Sequence, residues 1–215
     1  MAHIISPAQA AAQLQDGDML MIGGFLGNGT PHAIVSAMLD TPVANLTVIA
    51  NDTAYPDNGI GRLVMADRIA KLIASHIGTN PGTGERMNNG AMEVQLVPQG
   101  TLAERIRSGG AGLGGFLTPT GVGTSVQDGK QVITLDGKDY LLELPLRARV
   151  ALLKAKRGDW AGNLVYAKSG RNFNPLMATA ADIVIAEVEE IVETGAIDPD
   201  QVHTPGIFVD YLVQA

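Results

Sequence analysis

Seven residues, Gly23-Gly24-Phe25-Leu26-Gly27-Asn28-Gly29, form the segment best suited to hold a ligand with its backbone. Glycine lacks a Cβ, so such a loop can bring N–H groups close to a carboxylate, a carbonyl or a phosphate. It can equally turn the chain with no ligand at all. Neither dinucleotide nor nucleotide fingerprints apply, because Gly27-Asn28-Gly29 runs into Thr30-Pro31-His32 with no Gly-Lys-Ser/Thr. Gly110, Gly112 and Gly115 do satisfy G-x-G-x-x-G, but they follow a helical segment where the motif needs a strand. Gln99 precedes Gly100 and a helix start, so its amide can donate to a substrate carbonyl or carboxylate, or merely close the turn. His76 has no second ligand at metal spacing and reads as a structural hydrogen-bonding group. No metal site is expected. Asp52 and Asp57 could form a carboxylate pair, but both flank Pro and Gly, which favours turn formation. Glu187, Glu189, Glu190 and Glu193 crowd a strand end and read as a solvated face. No serine sits in a G-x-S-x-G elbow, and the absence of cysteine removes a thiol nucleophile. These residues outline a binding cleft without an attacking group. Either the protein binds without reacting, or a second chain supplies the nucleophile.

The positioning elements follow from hydrophobic runs and stop signals. Ser6, Pro7 and Gln9 form a capping box for a first helix running to Leu14. Met19 to Ile22 is a short apolar run, as in a strand buried on both faces, and Thr30-Pro31 opens a helix to about Leu39. Leu46 to Ala50, Lys71 to Ala74, Glu93 to Val97, Val150 to Leu153 and Ile183 to Ala186 read as further strands. Thr101 with Glu104 is expected to cap a helix ending at Ser108-Gly109-Gly110, and Asn174-Pro175 another. The expected fold is an open α/β structure with a mostly parallel sheet covered by helices. Gln131 to Leu144, with Asp136-Gly137 at its tip, reads as an antiparallel hairpin. Gly109 to Gly129 is glycine-rich and shows no obvious element; a loop of that length is usually functional or disordered. No boundary interrupts the chain, so residues 1–215 are expected to form a single domain. Ligands of open α/β sheets sit beyond the carboxyl ends of the strands, which selects Gly23 to Gly29, Asn51-Asp52, Ser75-His76 and Gln99-Gly100.

Composition narrows the partner classes. The 215 residues carry a net charge of −7 and no basic run, and aromatics are 4%, so nucleic acid is not an expected partner. No stretch is apolar enough to span a membrane and the first residues lack a secretory pattern, so a soluble cytoplasmic protein is expected.

Asp16-Gly17, two spacers, Leu20-Met21-Ile22, Gly23-Gly24-Phe25, three spacers and Gly29-Thr30-Pro31 match the signature of the class I coenzyme A transferases at every fixed position. The resemblance continues through Leu46 to Asp52, Ser75 to Asn80, Val97 to Arg107, Gly109 to Thr124, Arg171 to Pro175 and Thr204-Pro205-Gly206. It covers nearly the whole chain and is strongest toward alpha subunits of the bacterial acetate/acetoacetate group.

The resemblance implies a ping-pong transfer of coenzyme A between short-chain acids or 3-oxoacids through a glutamyl-CoA thioester. The family's glutamate lies in a Ser-Glu-Asn-Gly motif of the beta subunit, which this sequence lacks. No catalytic nucleophile is therefore expected here; a beta subunit is the implied partner, in an alpha2beta2 assembly. The implied CoA-contacting residues are Gly23, Gly24, Phe25, Leu26, Gly27, Asn28 and Gly29, and Gly24→Val is expected to crowd the ligand path. Gln99 is implied to hold the substrate carboxylate or the developing oxyanion. Gly115, Phe116 and Thr118 are implied to wall the site at the subunit interface. No tightly bound cofactor is implied, CoA thioester being a substrate. The alternatives are a non-catalytic CoA- or sugar-phosphate-binding protein on the same scaffold, and an isomerase of the ribose-phosphate type, which would need a carboxylate base in this chain.

Overall fold

The computed structural model describes residues 2–215. Eight parallel strands form one sheet: β1 (His3–Ile4), β2 (Met19–Ile22), β3 (Leu46–Ile49), β4 (Ile69–Ala74), β5 (Glu93–Leu96), β9 (Ala148–Asp159), β11 (Ala181–Val192) and β12 (Tyr211–Gln214). Their spatial order is β1-β12-β11-β9-β2-β3-β4-β5, and a short β10 (Leu164–Val165) adds antiparallel to β9. Chain order runs outward from β2 to β5, then returns to place β9 on the other side of β2. The sheet therefore reverses direction between β2 and β9, where doubly wound folds open a crevice at the strands' carboxyl ends.

Period-two alternation divides the core. Leu20 and Ile22 face one layer and Met21 the other, all fully buried. On the first face lie α1 (Pro7–Ala11), α2 (His32–Leu39) and α3 (Gly61–Met65), with Ile34, Val35, Met38 and Leu63 inserted against Val48, Leu72 and Leu152. On the second lie α5 (Gln99–Gly110) and α6 (Asn174–Thr179), with Leu102, Ile106 and Met177 against Ile49, Ala151 and Leu153. Each such side chain contributes about 1.5–3 kcal/mol on burial, which makes the strand alternation decisive. Among the described residues, no helix is long and apolar enough to cross a membrane.

Local signals place several boundaries. Ser6 and Gln9 form the reciprocal capping box, with Pro7 in the first turn. That helix stops at Ala11, three residues short of the expected Leu14. α4 (Pro81–Asn89) has weak helix formers, Gly82, Gly84 and two asparagines, and no apolar period announces it. Its ends make it: the Asn80 side chain accepts the Gly82 N–H, and Gly90 adopts φ 78° at the carboxyl end. The expected Thr101–Glu104 cap is not formed. α5 begins two residues earlier, at Gln99 behind Pro98, and Glu104 pairs with Arg107 at 2.8 Å. At α6 the cap is Phe173, and Asn174 turns its side chain elsewhere.

The hairpin appears as β7 (Val132–Leu135) and β8 (Lys138–Glu143), but it is not alone. β6 (Phe116–Thr118), inside the glycine-rich segment in which no element is obvious from sequence, pairs antiparallel with β8 to give a separate three-stranded sheet. Three residues are too few for a period to register in sequence; pairing with β8 makes them a strand.

β9 and β11 run twelve residues each, far past Leu153 and Ala186. Their second halves intersperse charged residues, Lys154, Lys156 and Arg157 in β9 and Glu187, Glu189 and Glu190 in β11, so they lack the apolar run of a covered strand. They pair in register, with Lys154 opposite Glu187 and Arg157 opposite Glu190. Opposite charges facing across a ladder support extension beyond the covered layers.

Candidate functional site

The carboxyl ends of β2, β3, β4 and β5 share one rim, and the segments that follow them are tied together. Asp52, 3% exposed, accepts the Leu26 N–H at 3.0 and 3.2 Å and the Ala54 N–H at 2.7 Å. It thus pins the tip of the glycine loop onto the end of β3, while Asp57 stays exposed. The backbone around Asp52 bridges to His76, at the end of β4.

The loop's other side is stitched by two asparagines. Asn172 accepts the Gly24 N–H at 3.2 Å and donates to the Asn28 carbonyl at 3.0 Å. Asn174, fully buried, donates to the carbonyls of Gly29 and Gly170 at 3.0 and 2.9 Å and accepts the Lys154 N–H at 3.2 Å. A Cβ on Gly23 would land on the Asn174 side chain, and one on Gly24, at φ 133°, on the Thr30 hydroxyl. Gly24→Val therefore collides with the loop's own support, so a crowded ligand path is not its first consequence.

A cleft of about 230 Å³ opens where the sheet reverses, between the glycine loop and the upper half of β9. Gly27, Asn28, Gly29, Lys154, Lys156 and Glu189 are among its walls. Beneath it lies Glu187, 1% exposed, whose Oε2 accepts the N–H groups of Ala33 and Ile34 at 2.8 and 3.0 Å. Its Oε1 accepts from Lys154 Nζ at 3.1 Å. The solvated face expected of the four glutamates fails at this one, because β11 continues through Glu187 and turns it inward. Glu189, Glu190 and Glu193 are exposed. A free helix start would attract an anion, but here the first N–H groups of α2 already hold an internal carboxylate. The N–H groups of Gly23, Gly24, Phe25, Leu26 and Asn28 already bond within the chain, so polar side chains and the Gly27 and Gly29 N–H groups remain to meet a ligand on this rim.

At the other end of the rim, Ser75 Oγ lies 2.6 Å from Gln99 Oε1, 2.7 Å from the Asn51 carbonyl and 3.1 Å from Asn51 Oδ1. Asn51 is buried, whereas Gln99 is exposed. Gly115, Phe116 and Thr118 belong to and border the small antiparallel sheet. Phe116 and Thr118 pair with Glu143 and Leu141 in the small sheet, and no hydrogen bond joins these three residues to Gln99 or the glycine loop. The small sheet's own hollow, about 320 Å³, contains Arg105, Lys130 and buried Glu143, with Lys130 Nζ 2.6 Å from Glu143 Oε1. Burial pulls the Arg105 guanidinium below its usual range, against the opposing pull of Glu143.

The coenzyme A transferase family model matches residues 4–215. The chain belongs to the coenzyme A transferase family. It is 59% identical over 204 residues to a protein named acetate CoA-transferase subunit alpha from Escherichia coli K12, covering 95% of this chain and 93% of that one. It is 50% identical over 200 residues to an acetoacetyl-CoA:acetate/butyrate CoA transferase alpha subunit from Clostridium acetobutylicum, covering 93% and 92%. A solved acyl-CoA transferase from Escherichia coli O157:H7, a thioester complex with CoA, superposes with a TM-score of 0.88 at 20% identity. All of this chain is covered, but it spans only 47% of that one, so the likeness is one of fold.

Within the coenzyme A transferase chain, the sequence pointed to the glycine loop, Gln99 and the Ser75-His76 rim segment, but it offered Asn174 only as a helix cap and gave no role to Asn172 or Lys154. Arg171 to Pro175 carried part of the resemblance, which was the available signal for the two asparagines. Lys154 had none; only its partner across the ladder marks it.

Proposed function

We propose that this chain is the alpha subunit of a heteromeric CoA-transferase of the acetate/acetoacetyl-CoA type. It moves CoA between short-chain carboxylic acids or 3-oxoacids by a ping-pong route, with the glutamyl-CoA thioester formed on a beta subunit in an alpha2beta2 assembly. In this reading Gly23 to Gly29 contact CoA, Gln99 donates to the acid's carboxylate or the developing oxyanion, and the small sheet carrying Gly115, Phe116 and Thr118 faces the partner chain. Residues 1–215 act as one domain, supported by one sheet carrying core clusters on both faces.

One observation carries the division of labour. The two buried carboxylates of the rim and cleft, Asp52 and Glu187, are held by backbone N–H groups, and Glu187 also by Lys154. A carboxylate whose oxygens already accept several hydrogen bonds has few lone pairs free and is a poor attacking group. Within the cleft that leaves the exposed Glu189, and because the sequence lacks the family's Ser-Glu-Asn-Gly motif the attacking carboxylate is assigned to another chain. Closing two chains over the site also keeps water from an acyl anhydride. A neutral wall with an amide donor orients the acid without neutralising the incoming nucleophile.

Mixing the chain with its beta subunit should give CoA exchange from acetoacetyl-CoA to acetate, and neither chain alone should. Mapping the trapped thioester should place it on the partner. A CoA adduct on any carboxylate of this chain, Glu189 included, would refute the assignment.

A further inference from the structure

We infer that Ser75 is the positioning residue that sets which end of the Gln99 amide faces the substrate; this rests on the proposed role of Gln99 in the site described above. β3, β4 and β5 are parallel neighbours, and their register brings Asn51, Ser75 and the start of α5 side by side. Ile49 lies opposite Ile73 and Ala74 opposite Leu96, and the Ser75 N–H bonds the Asn51 carbonyl at 2.9 Å. A serine hydroxyl has one proton to give. Three acceptors surround it, and the shortest distance, 2.6 Å, is to Gln99 Oε1. The Asn51 carbonyl is already served by the Ser75 N–H. Gln99 Oε1 has no other donor among the described residues.

The consequence is directional. With its carbonyl engaged by Ser75, Gln99 presents Nε2 outward, where no described protein group accepts it. Rotation of the amide by a half turn would present the carbonyl oxygen instead, which repels a carboxylate and gives nothing to an oxyanion. The two orientations have nearly the same shape, so packing cannot choose between them; the Ser75 hydroxyl chooses by directing its proton to Gln99 Oε1 at 2.6 Å and not to the Asn51 carbonyl at 2.7 Å. Ser75 is suited to this because it follows the last residue of β4 and is anchored through its own N–H. A donor aimed in advance stabilises developing charge without reorganisation at the moment of reaction.

The test uses the assembled enzyme with its beta subunit, and acetate with acetoacetyl-CoA as substrates. Ser75→Ala should lower kcat/KM for acetate about twofold, because about half the amides then face the wrong way. The KM for acetoacetyl-CoA should stay unchanged, and Ser75→Thr, which keeps the hydroxyl, should restore most of the loss. Gln99→Ala should cost more than Ser75→Ala, and Ser75→Ala/Gln99→Ala no more than Gln99→Ala alone, because Ser75 acts only through the amide. If Gln99→Ala impairs exchange while Ser75→Ala does not, or if the two losses multiply, the positioning role is wrong and the site reading survives. If Gln99→Ala itself leaves exchange intact, the reading of Gln99 falls and the role of Ser75 falls with it.

Discussion

Glu187→Gln tests the most consequential internal contact near the cleft. The carboxylate has two oxygens and three donors: Oε2 takes Ala33 and Ile34 N–H, and Oε1 takes Lys154 Nζ. Glutamine keeps the shape but has one acceptor oxygen. Whichever way its amide turns, an NH2 group faces either the start of α2 or the lysine, donor against donor. Removing one member of a buried pair typically costs about 3–5 kcal/mol, because the other charge is left unpaired. The Lys154 side chain retains 17% exposure, so water recovers part of that, and a loss near 3 kcal/mol is expected. With m of about 3 kcal/mol/M in urea, the midpoint should fall by about 1 M at fixed protein concentration. Lys154→Met/Glu187→Gln should be less damaged than Glu187→Gln, since the glutamine NH2 then faces an apolar chain and its oxygen serves α2. A midpoint shift under about 0.2 M for Glu187→Gln would refute the claim that this carboxylate holds α2 to the long strands.

Other perturbations have equally definite outcomes. Gly24→Ala should destabilise by about 2–4 kcal/mol, from the Thr30 collision plus a backbone region that L-residues avoid. Adding Thr30→Ala should return the collision component but not the backbone component, as read by denaturation midpoints. Asp18 is raised by burial but brought below its usual value by the Arg149 hydrogen bond, the Gln15 N–H and the Arg149 charge. Its contribution is therefore complete above its ordinary value of 3.8 and is lost as pH falls through its lower folded value. Asp18→Asn should cost about 2 kcal/mol at pH 7 in a denaturation curve, with wild type and variant converging in strong acid. His203 is pulled below its ordinary 6.5 by burial and then by Arg171, and its Nδ1 accepts the Tyr166 N–H at 2.9 Å. The unfolded chain binds that proton more readily, so stability should fall as pH drops below 6.5. His203→Gln should flatten that slope in thermal melts between about pH 7 and 5.

The amino-acid sequence determined the elements with strong local signals. The capping box at Ser6, the buried strands at Met19 and Leu46, the Asp136-Gly137 hairpin and the loop from Gly23 to Gly29 are all written within a few residues of chain. The family was legible for the same reason, since its signature is contiguous. What the tertiary structure alone decided is who meets whom. Glu187 reads as one glutamate among four until β9 and β11 pair and set it opposite Lys154 and under α2. Phe116 to Thr118 become a strand only against β8. Asn172 and Asn174 support a loop nearly 150 positions away in the chain. The order β9-β2-β3, which puts the cleft beside the glycine loop, arises from the return of the chain across the sheet. Local propensity acts through neighbours in sequence, whereas a side chain's burial and hydrogen-bond partners depend on segments that only folding brings together.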